Sequence, residues 1–247
     1  MSEPQEDSFI SHLVELRDRL LRAVVAVVVI FVCLMPWAGD IYDILAHPMM
    51  SALPEGTKMI ATGVVTPFFV PMKVTLLVAF VIALPFVLYQ AWCFIAPGLY
   101  AHEKRLGLPL VVGSTVLFLA GMAFCYFFVF GTVFKFIAQF APKSITPAPD
   151  IEQYLAFVMS MFLAFGITFE VPVIVIVLVK LGIVDVAKLK EARPYVIVGA
   201  FVIAAVVTPP DVVSQLMLAV PMCLLYELGI FLSRFVTRTR ADEVASG

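Results

Sequence analysis

The chain has 247 residues, of which 62% are hydrophobic and only 14% are charged, and its net charge is -2. A single water-soluble core of this length needs far less apolar surface, so the composition predicts an integral membrane protein. The basic residues lie in small separate groups rather than in one stripe, which excludes nucleic acid as a partner. The first residues are acidic and no cleavage site follows the first apolar run, so we expect that run to remain as a membrane anchor.

Residues 1–22 precede this run and are predicted to form a charged amphipathic helix. One face is apolar, because the following residues recur at spacings of three and four: Phe9, Ile10, Leu13, Leu16, Leu20 and Leu21. The charges of the other face have two open interpretations. In one, Glu15 pairs with Arg19 four residues later, and such a pair contributes about 0.2–0.5 kcal/mol to a helix. In the other, Glu15 contacts a cationic ligand at the membrane surface.

Six apolar runs predict an all-α integral membrane protein with six transmembrane helices. By residue number they are 23–38, 74–96, 106–134, 154–179, 194–207 and 212–232. The connecting loops are predicted at 39–73, 97–105, 135–153 and 180–193, with a tail at 233–247. The first loop is too apolar for a free linker, so we expect an ordered cap in which Asp40 or Asp43 begins a short helix. The whole chain, 1–247, is predicted to be one membrane domain.

The fifth and sixth runs are predicted to form a hairpin of short helices. The fifth has 14 residues and covers about 21 Å as a helix, whereas the hydrocarbon core of a bilayer is about 30 Å thick. The turn Thr208-Pro209-Pro210-Asp211 leads directly into the sixth run, which contains Gln215. We expect this hairpin to thin the membrane or to leave a concave, lipid-facing surface beside Glu170.

The distribution of basic residues predicts the orientation, because cytoplasmic loops are enriched in lysine and arginine. One side holds twelve: Arg17, Arg19, Arg22, Lys104, Arg105, Lys180, Lys188, Lys190, Arg193, Arg234, Arg238 and Arg240. The other side holds four: Lys58, Lys73, Lys135 and Lys143. Both termini are therefore predicted to be cytoplasmic, on the same side as Glu15 and Glu103, with loops 39–73 and 135–153 outside.

Glu170 is the one acid deep inside a predicted span. A charged group near the middle of a bilayer costs several kcal/mol, so such a residue is a functional candidate. The alternative is a protonated or hydrogen-bonded residue with a purely structural role. In either case we expect the side chain of Glu170 to face protein or a wet cavity rather than lipid tails.

Glu103 is a second candidate, because it follows the rigid turn Pro97-Gly98 and stands near Phe94 and Leu99. The plain interpretation is a solvated loop with ordinary charges. The functional interpretation is an acid held in place for a ligand that carries both charge and apolar surface.

The rest of the sequence offers no enzyme chemistry. The four cysteines and three histidines are dispersed, so no metal site is predicted. The phosphate-binding loop with its Gly-Lys-Ser or Gly-Lys-Thr ending is absent, and no nucleophile stands beside a base. The sequence therefore predicts neither catalysis nor a cofactor, and the driving energy must come from elsewhere.

Several separated motifs together resemble the TatC family of twin-arginine protein translocases, over essentially the whole chain. The motifs are Ser11-His12-Leu13 with Glu15-Leu16-Arg17 and Arg19-Leu20, Phe94 with Pro97-Gly98-Leu99 and Glu103, Phe169-Glu170-Val171-Pro172, and Thr208-Pro209-Pro210-Asp211 with Ser214-Gln215. The chain departs from the family where Pro48-Met49 replaces the common Pro-Leu pair.

The resemblance implies a six-span, glove-shaped, concave receptor for twin-arginine signal peptides in the bacterial inner membrane. The implied partners are the single-span proteins TatA and TatB and further copies of the chain in a homo-oligomer, with the protonmotive force as the driving energy. The implied signal-peptide site comprises Glu15, Arg17, Leu20, Phe94, Leu99, Glu103 and Arg105. The implied residues for partner contact or transport are Glu170, Asp211, Gln215 and Pro48. Two acids suit an Arg-Arg ligand, because a guanidinium group pairs with a carboxylate through two parallel hydrogen bonds.

Two other classes of protein stay open at this point. A small-solute or proton-coupled secondary transporter usually shows an internal repeat with broken helices and several polar residues at mid-membrane. This chain shows one deep acid and no convincing repeat. A purely structural scaffold is the other class, and its variants would lose complex assembly without losing peptide binding.

Overall fold

The computed structural model describes residues 4–51, 59–95, 104–140, 148–208 and 211–245. The helices within these ranges are α1 (Pro4–Leu34), α2 (Ala38–Met50), α3 (Thr66–Ile95), α4 (Lys104–Phe124), α5 (Phe130–Phe140), α6 (Ile151–Lys180), α7 (Val186–Glu191), α8 (Arg193–Val207) and α9 (Val212–Ala245). A 3-10 turn, Met35–Trp37, joins α1 to α2, and a π-helical segment, Cys125–Val129, joins α4 to α5.

These helices confirm the all-α fold class. Five helical stretches of the described chain are long and apolar enough to cross a membrane, and they include every predicted run except the fifth. The fifth run corresponds to α8, which has 15 residues and is the short apolar helix that the sequence predicts.

Several predicted boundaries are wrong. Segment 39–73 is not a continuous loop, because it contains α2 and the first turns of α3, which begins at Thr66. Pro67 does not delay this start, since the first N–H groups of a helix have no intrahelical partner and proline is tolerated there. The short helix expected in this segment is confirmed by α2, although Asp40 lies in its first turn rather than before it.

Two further helices are also longer in the structure than the sequence predicts. The third span continues as helix to Phe140 instead of ending at residue 134. The sixth helix is not short, because α9 has 34 residues, and its apolar stretch Val212–Arg234 is long enough to cross a membrane. Apolar composition marks only the part of a helix inside the lipid, so a helix that continues beyond the lipid is underestimated.

The chain forms two compact units. The first comprises the described residues of Met1–Asp43 and Pro71–Thr115, and the second those of Ile44–Val70 and Val116–Gly247. The first unit therefore carries Glu15, and the second carries Glu170.

In the second unit, α6 is the helix on which the core is built. The contact between α6 and α9 is the most extensive one between any two of the described helices. Close approach depends on small residues, because helices in lipid associate by packing rather than by the hydrophobic effect. Gly166 of α6 faces the ring of Phe118, and Gly229 of α9 faces Pro172 and Val175 of α6.

Asp150 joins two segments at one end of α6. Ile60 pairs with the backbone on both sides of Asp150 through hydrogen bonds of 3.0 and 2.9 Å. The side chain of Asp150 accepts the N–H groups of Glu152 and Gln153, which caps α6, and it also accepts hydrogen bonds from Thr62. The hydroxyl of Thr62 is the strongest of the contacts that hold the pKa of Asp150 below its usual value. The cap therefore stays ionised to a lower pH than an unpaired aspartate would.

An apolar cluster lies at the other end of α6 and comprises Val175, Val179, Leu189, Tyr226 and Ile230. The hydroxyl of Tyr226 donates to the carbonyl of Leu189 at 2.8 Å, which fastens α7 to α9. Arg193, at the start of α8, pairs with Glu227 of α9 at 2.7 Å. These polar contacts fix the beginning of the short helix α8 on the longer helix α9.

We expect Gly166→Ala to lower the free energy of unfolding by about 1–3 kcal/mol, because the added methyl group would overlap the ring of Phe118. Gly131→Ala is the matched control, since a methyl group there meets no described atom within 4 Å. Thermal unfolding of both variants in the same detergent measures the difference. Equal midpoints would contradict the close packing of α4 on α6.

Candidate functional site

Glu15 forms an ion pair within α1. Nε and Nη2 of Arg19 both donate to Oε1 of Glu15, at 2.8 and 2.6 Å. The side chain of Glu15 is 40% exposed and that of Arg19 is 24% exposed, so solvent screens the pair and its net stabilisation is small. The internal pairing that the sequence left open is therefore present. It also shows that a guanidinium group fits against this carboxylate.

Helix α3 supplies the second side of this site. Gln90, only 6% exposed, accepts a hydrogen bond from Nη1 of Arg19 at 3.4 Å. One turn further along α3, the ring of Phe94 stacks on His12 with the ring centres 4.3 Å apart. His12, Glu15 and Arg19 recur at spacings of three and four and so share one face of α1. Two helix faces thus bring together a carboxylate, a guanidinium group, an amide and two rings.

The other predicted residues of α1 have different surroundings. Arg17 donates from Nε and Nη2 to Oδ1 of Asp18, at 2.9 and 2.8 Å, and both side chains are exposed. The partner of Arg17 is therefore Asp18 and not Glu15. Leu20 is 59% exposed, so it presents apolar surface to its surroundings.

An open groove of about 340 Å³ runs along this part of α1. Its lining residues are Val14, Glu15, Asp18, Arg19 and Arg22. The groove therefore presents two carboxylates and two guanidinium groups beside one aliphatic side chain. This composition suits an extended side chain that is charged at its tip and apolar along its stem.

Two predicted site residues, Leu99 and Glu103, lie outside the described residues. Arg105 lies in the first turn of α4, and its side chain is also outside the described part. Helices α3 and α4 are joined, because the indole N–H of Trp92 in α3 donates to the hydroxyl of Ser114 in α4 at 2.9 Å. Both residues are buried, so this bond holds together the two helices that precede and follow Glu103 in the chain.

Glu170 lies on α6 in the second unit and is only 7% exposed. This burial confirms that the side chain is enclosed by protein, as the cost of an acid in hydrocarbon requires. Two residues later, the backbone of Pro172 faces Gly229 of α9, so Glu170 lies near a point where the two helices approach each other closely. A role of Glu170 in transport stays a prediction.

Asp211 and Gln215 hold the α8–α9 hairpin together. Asp211 Oδ1 accepts the N–H of Ser214 at 2.7 Å, which caps α9, and the amide of Gln215 donates to the carbonyl of Phe201 on α8 at 3.3 Å. Asp211 Oδ2 and the buried hydroxyl of Ser214 have no hydrogen-bond partner among the described residues. Both atoms are buried, and unpaired polar atoms of this kind are costly in a membrane.

Pro48 lies inside α2, where it cannot donate to the carbonyl of Ile44 one turn earlier. The hydroxyl of Tyr126 donates to that carbonyl at 3.2 Å. The next carbonyl, of Leu45, accepts from the hydroxyl of Tyr154 on α6 at 2.8 Å. These two bonds, on the turn of α2 that precedes Pro48, dock α2 within the second unit. The carbonyl of Pro48 itself accepts a hydrogen bond from the hydroxyl of Ser51 at 3.0 Å.

Neither His12 nor Gln90 is predicted as a site residue. The position of His12 three residues before Glu15 was an available signal, and so was a glutamine within an otherwise apolar run. Among the described residues, no three histidine, cysteine or acidic side chains lie close enough together to hold a metal ion.

The fold and the site define a class: a multi-span, all-α membrane protein whose first helix carries an acid–arginine pair beside a second helix. A family model of the Sec-independent protein translocase protein (TatC) matches residues 11–221. Two proteins named Sec-independent protein translocase protein TatC are close relatives. The one from Escherichia coli K12 is 51% identical over 235 residues, which are 95% of this chain and 91% of the relative. The one from Haemophilus influenzae is 52% identical over 241 residues, 98% and 94% of the two chains.

A solved structure described as the twin arginine translocase receptor TatC has the same fold, with a TM-score of 0.81 and 40% sequence identity. The match covers 92% of this chain and 99% of that chain. The chain therefore belongs to the TatC family. It is a multi-pass protein of the bacterial inner membrane and a component of Sec-independent protein translocation, not an enzyme. This assignment decides against a small-solute transporter.

The hydrogen bond from Tyr126 to the carbonyl of Ile44 predicts an energetic coupling between Tyr126 and Pro48. Tyr126→Phe should lower the free energy of unfolding by about 0.5–1.5 kcal/mol, because the carbonyl of Ile44 loses its partner. In a Pro48→Ala background the loss should be smaller, since the N–H of Ala at position 48 then reaches that carbonyl. A double-mutant cycle on thermal or chemical unfolding measures the coupling. Additive effects of the two substitutions would show that the hydroxyl does not replace the missing helix bond.

Proposed function

We propose that this chain is the receptor for twin-arginine signal peptides, which it binds at its cytoplasmic face through Glu15 and Glu103. The observation that supports the proposal most is the guanidinium group of Arg19 on Glu15. The site already accepts the chemical group that a twin-arginine ligand would bring. Bonds between guanidinium and carboxylate are charge-assisted and roughly twice as strong as neutral hydrogen bonds.

The neighbours of Glu15 suit the remainder of such a peptide. Phe94 lies on the α3 side of the site through its contact with His12, and Leu20 exposes its side chain immediately after Arg19. In the proposal, Leu20, Phe94 and Leu99 seat the apolar part of the signal peptide. Arg17 and Arg105 adjust the charge around the two acids.

Arginine rather than lysine is the expected ligand for geometric reasons. A guanidinium group presents a planar fork of donors that matches both oxygens of a carboxylate, whereas an ammonium group is a compact point charge. Two guanidinium groups need two carboxylates for complete pairing. This requirement supports a site in which Glu15 and Glu103 act together.

We also propose that the α8–α9 hairpin docks the single-span partners TatA and TatB, with α8 the favoured contact for TatB. Val198, Val202 and Val206 form an exposed stripe along α8, and the polar atoms of Asp211 and Ser214 lie at its end. Disulfide crosslinking between α8 and each partner helix tests this surface.

In the same proposal, copies of the receptor associate as a homo-oligomer, and the protonmotive force drives transport.

Glu15→Gln and Glu103→Gln should each weaken binding of an Arg-Arg signal peptide by about tenfold, since a charge-assisted hydrogen bond contributes about 1.5–3 kcal/mol and exposure reduces that value. A Lys-Lys peptide, which is poorly matched in geometry, should be affected less. Affinity is measured with fluorescent peptides and the receptor complex in membranes, with both single variants and the double variant.

The matched control for this series is Asp18→Asn, which removes a carboxylate from the same groove but leaves Glu15 in place. If Glu15→Gln and Glu103→Gln both bind the Arg-Arg peptide as tightly as the parent while the protein still inserts and assembles, these acids are not the receptor site.

Glu170→Ala should spare peptide binding and impair transport or partner contact, because Glu170 is buried in the second unit whereas Glu15 belongs to the first. The measurement is the export rate of a folded substrate beside peptide affinity in the same membranes. Export at the parental rate would reduce Glu170 to a structural residue.

A further inference from the structure

Both hydrogen bonds from Arg19 end on the same oxygen of Glu15. Nε and Nη2 donate to Oε1, at 2.8 and 2.6 Å. A ligand guanidinium forms its best pair with a carboxylate through two parallel bonds, one to each oxygen. That arrangement requires Oε1. The ligand arginine and Arg19 therefore need the same atom.

We propose that Arg19 is an internal competitor of the signal peptide, whose guanidinium group occupies Glu15 in the empty receptor and leaves Oε1 when a ligand arginine binds. The inference rests on the proposed function of Glu15 and assigns a role in that site to Arg19. It makes Arg19 a determinant of affinity through Glu15, without requiring that Arg19 contact the ligand.

Gln90 offers a hydrogen bond to the side chain of Arg19 after its displacement from Glu15. Its Oε1 already lies 3.4 Å from Nη1 of Arg19, on the side of the site formed by α3. Gln90 is 6% exposed, so this oxygen depends on protein partners for its hydrogen bonds. Arg19 can therefore release Glu15 and keep its contact with Gln90, which makes the exchange a local movement of one side chain.

Displacement of Arg19 from Glu15 by a ligand costs little free energy, because the pair between them is weak. Both side chains are partly exposed, and pairs of this kind contribute little. A receptor whose binding-competent form is only a fraction of the population binds with its affinity reduced by that fraction. For a pair of this class the reduction is about two- to fivefold.

The competition affects the two kinds of ligand differently. An arginine that uses both oxygens of Glu15 must displace Arg19 from Oε1. A lysine ammonium needs a single oxygen and can use the other one while Arg19 stays in place. Loss of the competitor should therefore favour Arg-Arg peptides more than Lys-Lys peptides.

The test compares three variants of the full chain in the receptor complex. Arg19→Lys keeps the positive charge but loses the planar fork, and Arg19→Gln removes the charge as well. Arg22→Gln is the matched control, because it removes one positive charge from the same groove. Affinities for fluorescent Arg-Arg and Lys-Lys signal peptides are measured in nanodiscs, with assembly checked by size-exclusion chromatography.

We expect Arg19→Gln to bind the Arg-Arg peptide about two- to fivefold more tightly than the parent. Arg19→Lys should give a smaller gain, because its ammonium group still pairs with one oxygen of Glu15. Both variants should gain less for the Lys-Lys peptide. Arg22→Gln should shift both peptides equally, as a general electrostatic effect does. An Arg19→Lys affinity equal to or weaker than that of the parent overturns the inference, and so does an equal gain for both peptides. Arg19→Lys decides the question alone if Arg19→Gln fails to assemble.

Glu15→Gln in the same assay separates this inference from the proposed function. If Glu15→Gln weakens Arg-Arg binding and Arg19→Lys does not strengthen it, only the competition is wrong. If Glu15→Gln has no effect on Arg-Arg binding, the proposed site is wrong, and the proposed competition at Glu15 is wrong as well.

Discussion

A bilayer offers no hydrogen-bond partners, so each polar group inside it must find a partner in the protein. The hydroxyls of Thr75, Thr115 and Thr132 each donate to the carbonyl one turn earlier, at 2.8 Å. The same constraint explains why Glu170 is buried. These polar side chains of the spans are thus paired with the backbone of their own helix or enclosed by protein.

The Glu15 site differs from the buried polar groups because solvent reaches its charged side chains. Water screens its charges, so the pair with Arg19 contributes little, as the proposed exchange with a ligand arginine requires. Gln90 and the stacked rings of His12 and Phe94 supply the fixed part of the site. The proposed receptor role depends on both features, the packed side chains of α3 and the weak ion pair of α1.

The sequence predicts the number and order of the apolar helices well, because hydropathy reports directly on burial in lipid. It underestimates their lengths, since proline-containing first turns, as at Pro67, read as loop, and polar extensions, as in α9, read as tail. Glu15 and its pairing with Arg19 follow from local spacing. The contacts of Gln90 with Arg19 and of Phe94 with His12 do not, because they depend on how α1 and α3 pack and on no periodicity within either helix.

The central claim is that the arginine pair of a signal peptide binds at the faces of α1 and α3 that carry Glu15 and Gln90. The most direct test is site-specific photocrosslinking from a signal peptide with a photoreactive residue beside its arginine pair, in membranes containing the receptor complex. Mass spectrometry of the products should locate crosslinks at residues 12–19 of α1 and 90–94 of α3. Crosslinks confined to α8 or α9, with none in these two stretches, would contradict the account.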